Sequence, residues 1–164
     1  MHSKPSQHPF DSRRHLLTNI KLIVEGKDRP SKDHKILYKI SGGPPRRRLE
    51  YLLEIRGTGS VTCHILDELR GQRRRTFKHR LSEDEVRELF REMIESRLLE
   101  NISPGSRFLP DSLVGSISIE YGQPKITYYF LADEQQRHDQ GLELNPSLAK
   151  MDSIFQGLIS QITE

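Results

Sequence analysis

The amino-acid sequence predicts an α+β fold: a mostly antiparallel sheet of about five to seven strands with two amphipathic helices, about 83–99 and 146–162, packed on one face. Three observations point there. Residues 49–81 alternate apolar and polar side chains, with tight turns between the runs. The same two-residue period returns at 113–131. Two further stretches switch to helical spacing directly behind capping residues.

In chain order, residues 1–14 are rich in His, Ser, Pro and Gln and offer little to bury. They are expected to form a flexible N-terminal tail ahead of a single domain over 15–164. "NIKLIVEG" (19–26) and "KILYKI" (35–40) are β-branched or alternating runs on either side of the loop-like "KDRPSKDH", which reads as a hairpin. Residues 15–24 also suit the start of a helix. "SGGPPRRR" (41–48) fits neither a helix nor a central strand, and reads as an irregular corner or a short hinge.

"LEYLLEIRG" places Leu49, Tyr51, Leu53 and Ile55 on one face, the pattern of a half-buried strand. "GTGS" (57–60) turns the chain, Val61, Cys63 and Ile65 resume in phase, and "RGQR" (70–73) turns it again at Gly71. "RRTFKHRL" then completes an antiparallel meander. At Ser82 the pattern changes. Ser82 with Glu85 three residues on is a capping box, and acids fill the positive first turn. Val86, Leu89, Phe90, Met93, Ile94 and Leu98 form one stripe, and the helix should stop near Asn101, ahead of Pro104 and Gly105. In the second strand pair Leu113, Ile117, Ile119 and Tyr121 alternate inward. Ile126, Tyr128 and Phe130 alternate back, so Tyr129 should face out. Residues 132–144 read as a polar loop. Asn145 caps the last helix, with Pro146 in its first position and Leu148, Met151, Phe155 and Ile159 along its stripe.

The chain has 164 residues, 34% hydrophobic and 30% charged, with a mean hydropathy of −0.68. No apolar run approaches the ~20 residues of a membrane helix, so no membrane partner is expected. The N-terminal residues lack the hydrophobic segment of a secretory signal; Arg13 and Arg14 before "HLL" give only a weakly amphipathic approach to a mitochondrial presequence. The one cysteine, Cys63, forms no internal disulfide and fits a reducing compartment. A cytoplasmic or nuclear location follows as the expectation. The net charge of +3 conceals a split: residues 1–81 hold 19 Lys/Arg against 8 Asp/Glu, and residues 82–164 hold 7 against 15. Such asymmetry suits either an external partner of opposite charge or closure of the two halves on each other.

No local signature indicates an enzyme, a metal or a cofactor. The seven histidines include no pair at i, i+3 or i+4. Cys63 and His64 are neighbours on a strand and face opposite ways, so they make no nucleophile–base pair. The lone G-x-G of "RGTGS" precedes a strand rather than the helix that a dinucleotide site requires. Capping accounts for Glu83, Asp84 and Glu85, and Asp133/Glu134 sit at a strand exit. Only a dispersed active site would escape such a reading.

What remains is basic. "RRR" at 46–48 and "RGQRRRTFKHR" at 70–80 supply the candidate binding residues Arg46, Arg47, Arg48, Arg73, Arg74, Arg75, Lys78 and Arg80. Along a strand Arg73 and Arg75 share one face with Phe77 and His79, while Arg74, Lys78 and Arg80 share the other. Cations on both faces keep an edge strand from pairing with foreign strands, and the next helix offers Glu85, Glu88, Glu92 and Glu95 to neutralise them. Arginines in this density also suit bidentate contacts to carboxylate or phosphate. The expected function is a non-enzymatic interaction module that binds an acidic protein partner, or itself, through charge-complementary surfaces. Weak, salt-sensitive nucleic-acid binding through the basic hairpin is the alternative. The order of elements, with a strand ending in "SGG", further strands, a helix, a strand pair and an "NP"-capped helix, resembles small protease-inhibitor modules of the emfourin type. That resemblance implies an inhibitor-like module and carries over no individual residue.

Overall fold

The computed structural model describes residues 9–71, 73–101, 108–122 and 125–164. Alternating apolar residues build one six-stranded antiparallel sheet in the order β4-β3-β2-β1-β5-β6. The strands are β1 (His34–Gly42), β2 (Leu49–Arg56), β3 (Ser60–Asp67), β4 (Arg75–Arg80), β5 (Val114–Tyr121) and β6 (Lys125–Leu131). Neighbouring strands keep one phase across the sheet: Tyr38 faces Leu53 and Ile117, Leu53 faces Cys63, and Ile117 faces Tyr128. All five side chains are fully buried on the same face. Fully burying a side chain of this size contributes about 1.5–3 kcal/mol, so this row sets the register.

Three long helices cover that face: α1 (Pro9–Val24), α2 (Glu83–Glu95) and α5 (Pro146–Thr163). Residues of one parity on β1 meet all three. His34 hydrogen-bonds Asn19 of α1 and meets the Phe90 ring of α2, and Tyr38 packs on Phe155 of α5. The capping box forms as expected, with Ser82 accepting from the Glu85 backbone and Glu85 reaching back. Asn145 caps α5 and Pro146 opens it.

Three expectations are corrected. Residues 19–24 are not a strand but the end of α1, which begins at Pro9 and so takes in the last part of the expected tail; residues 1–8 of that tail lie outside the described residues. Leu16, Ile20 and Ile23, all fully buried, recur at helical spacing, and that stripe outweighs the β-branched composition. Gly26, in the left-handed conformation at φ 78°, ends the helix. The helix expected over 83–99 breaks after Glu95. Arg97 adopts φ 61° and the chain restarts as the short α3 (Leu98–Asn101), while Ser96 bonds back to the Met93 carbonyl. The expected polar loop at 132–144 contains α4 (Glu134–Asp139), because Asp133 accepts the Gln136 backbone N–H as an N-cap.

Candidate functional site

Alternation of an antiparallel meander sends the β1–β2 and β3–β4 turns to the same end of the sheet. The register pairs Leu49 with Asp67, so residues 43–48 lie beside residues 68–74. A reciprocal pair of hydrogen bonds joins them: Glu68 N–H donates to the Arg48 carbonyl at 2.9 Å, and Arg48 N–H donates to Glu68 Oε2 at 3.2 Å. The corner expected from "SGGPPRRR" is therefore a tight β1–β2 connection. A Cβ on Gly42 would stand 2.1 Å from the Ser112 carbonyl oxygen, and one on Gly43 2.7 Å from that of Arg47. At the tip Arg46 holds φ 69°, a conformation that ordinarily falls to Gly or Asn.

Arg46, Arg47, Arg48, Arg70, Arg73, Arg74 and Arg75 thus converge on one end, against Glu50, Asp67 and Glu68. The acids engage part of this charge. Arg74 meets Glu50 at 3.5 Å across the β2–β3–β4 surface, and Arg70 meets Asp67 at 3.6 Å. Exposed pairs of this kind contribute about 0–1 kcal/mol and leave the guanidinium donors open to a further carboxylate. Arg75 lies over the Phe77 ring at 5.4 Å, on the helix-covered face. It lines, with Arg70, Asp67, Tyr51 and the end of α5 at Ile159 and Thr163, a cavity of about 190 Å³. The negative end of the α5 dipole is directed at this basic rim.

Six of the eight residues singled out from the sequence come together here: Arg46, Arg47, Arg48, Arg73, Arg74 and Arg75. Lys78 and Arg80 do not. They lie roughly 10 and 17 Å further along β4, at about 3.3 Å per residue. Leu81 N–H donates to the Gly59 carbonyl at 2.8 Å. By the alternation of antiparallel bonds, the backbone N–H and C=O of Thr76, Lys78 and Arg80 point away from β3. No other described strand pairs there, so β4 is an open edge as the sequence implied.

Among the described residues, four acids of the neighbouring helix pair elsewhere. Glu83 and Asp84 pair with Arg29 and Arg87, Glu88 with Arg91, and Glu92 with Lys150. Among the described residues no ion pair joins Arg73, Arg74, Lys78 or Arg80 to α2. Sequence reading also missed Arg70 and Leu69. Leu69, at 71% exposure, is the most exposed large apolar residue among those described, and it sits within the basic turn. Leu69 stands two residues before Gly71 and in phase with Val61, Cys63 and Ile65, so alternation alone reads it as one more inward residue of the strand.

The residues that pointed away from catalysis are placed as follows. Cys63 is buried on the helix-covered face, and burial pushes its thiol up. His64, on the other face, bonds Thr76 at 2.9 Å. Tyr128 and Phe130 are core and Tyr129 is 46% exposed. Among the described residues, no group of three or more His, Cys, Asp or Glu is placed to hold a metal ion, and no helix is long and apolar enough to cross a membrane. No protein-family model matches the chain and no curated protein matches it, so the resemblance to emfourin-type modules rests on element order.

Proposed function

We propose that this chain is a non-enzymatic interaction module whose basic end captures an acidic protein surface. The observation that carries this reading is the convergence of two arginine-rich turns, clasped through Arg48 and Glu68, on one end of a rigid sheet. A preset array loses less freedom on binding than flexible cationic tails would, and this favours specific recognition. The strained backbone of Arg46 keeps an arginine where glycine would relax the turn. A nucleic-acid partner is less well served: single-stranded binders interleave exposed rings with their cations. Here Phe77 lies under Arg75, and the exposed Tyr129 is on β6, the opposite edge.

The test is fluorescence anisotropy with a labelled poly-glutamate peptide, repeated with duplex DNA over a salt series. Binding of the acidic peptide should weaken as the Debye length shrinks. The triple change Arg47→Glu, Arg48→Glu and Arg73→Glu, all at exposed positions, should lower affinity about tenfold or more with an unchanged circular dichroism spectrum. Equal binding by wild type and variant overturns the proposal. DNA binding with a log–log salt slope near about −4.5, the value for five phosphate contacts, moves the assignment to nucleic acid.

A further inference from the structure

α2 and α5 diverge to leave a groove of about 640 Å³. Leu81, Leu89, Ile154 and Leu158 form its floor, with Gly157 beside them. Glu85, Glu88 and Glu92 stand along the α2 side. Glu85 accepts the Ser82 backbone N–H at 3.1 Å, and this bond holds its carboxyl below the usual range. Lys150 bonds Glu92 and Arg91 bonds Glu88, and Glu85, held by the Ser82 backbone, keeps the wall net acidic. An apolar floor with acidic walls fits an apolar side chain flanked by cations. The β3–β4 tip is such an element: Leu69 is 71% exposed, and Arg70, Arg73 and Arg74 follow it.

We infer that the acidic surface taken by the basic end is this α2/α5 groove on a second copy of the chain, with Leu69 on the apolar floor and Arg70, Arg73 and Arg74 against Glu85, Glu88 and Glu92. This rests on the reading of the basic end as a protein-binding site. The tip does not fold into its own groove. Leu69 stays exposed, and Arg70 lines a separate cavity with Ile159 and Thr163 of α5. Of the ion pairs formed among the described residues, Arg29–Glu83 and Lys35–Glu120 join residues 1–81 to residues 82–164. The tip precedes β4, and Leu81 on the groove floor follows it. Two β4 edges running antiparallel about a two-fold axis therefore bring each tip to the other copy's groove, and the contact closes as a dimer. Lys78 and Arg80 keep the edges themselves from pairing as strands.

Sedimentation velocity over a concentration and salt series tests this. The wild type should form a dimer that loosens as salt rises. Leu69→Asp removes the knob, and Gly157→Arg fills the groove with a cation. Neither disturbs the fold, since Leu69 is exposed and a Cβ on Gly157 meets nothing within 4 Å. Each alone should weaken the dimer about tenfold or more, because every contact needs both parts. Mixed together, they should recover a heterodimer through the one intact knob and the one intact groove. A monomer at every concentration and ionic strength overturns the inference, as does a mixture no more associated than its components. If the monomeric protein still binds poly-glutamate through the basic end, self-association falls and the acidic-partner reading stands. If it binds neither, both fall.

Discussion

His34 makes stability depend on pH in a calculable way. The ring is 2% exposed, stacked 4.4 Å from Tyr121 and edge-on to Phe90. Ser31 N–H donates to Nδ1 at 2.9 Å, so Nδ1 carries no proton, and Nε2–H donates to Asn19 Oδ1 at 2.6 Å. A second proton would have to displace the Ser31 bond inside an apolar layer. Burial therefore lowers the pKa below 6.5, and the Ser31 contact, Asp28 and Asp33 only partly oppose it. The folded form resists a proton that the unfolded chain accepts, so the contribution of His34 is full above about pH 6.5. It is lost as pH falls, until the folded ring itself protonates. At about 1.4 kcal/mol per unit, lowering pH from 7.5 to 5 costs up to about 2 kcal/mol through this residue. Urea denaturation of wild type and His34→Gln at both pH values isolates the effect, since glutamine does not titrate. The variant starts less stable, having lost the ring contacts, but should lose less on acidification, by up to that amount. Equal losses in the two proteins would refute the neutral, buried assignment.

Two further outcomes follow from single groups. Tyr38 O–H donates to Asp152 Oδ1 and accepts from Gln156 at 2.8 Å, across the β1–α5 contact. Tyr38→Phe strands both partners and should cost about 1–3 kcal/mol in urea denaturation at pH 7, and adding Asp152→Asn should recover part of it. A loss near zero would mean that water replaces the phenol. Gly157→Ala, on the exposed side of α5 with free space around the new Cβ, should stabilise the fold by about 0.5–1 kcal/mol, read as a higher thermal midpoint. No gain would show that the last turns of α5 are frayed.

The sequence by itself determined the elements whose signal is local. Leu49 to Ile55 and Val61 to Ile65 alternate on either side of a Gly-rich turn, Ser82 and Glu85 cap one helix, and Asn145 with Pro146 starts another; each is decided by residues within a few positions, and none needed a partner to be recognised. Tertiary packing decided the rest. The β-branched residues of 19–24 pointed to a strand, yet burial of Leu16, Ile20 and Ile23 against the sheet made them a helix. His34 looked like one histidine among seven until its register placed it between Asn19 and Tyr121. The basic runs at 46–48 and 70–80 were legible as charge, but not as one surface, because nothing in 41–48 distinguishes a hinge from a turn. Strand pairing made that distinction: the bonds between Arg48 and Glu68 join residues twenty positions apart, and they turn two stretches of arginine into a single basic end. The same pairing moved Lys78 and Arg80 away from it. Charge is a property of composition, but its position is set by the register of the sheet, which the apolar row through Tyr38, Leu53 and Ile117 fixes by long-range burial.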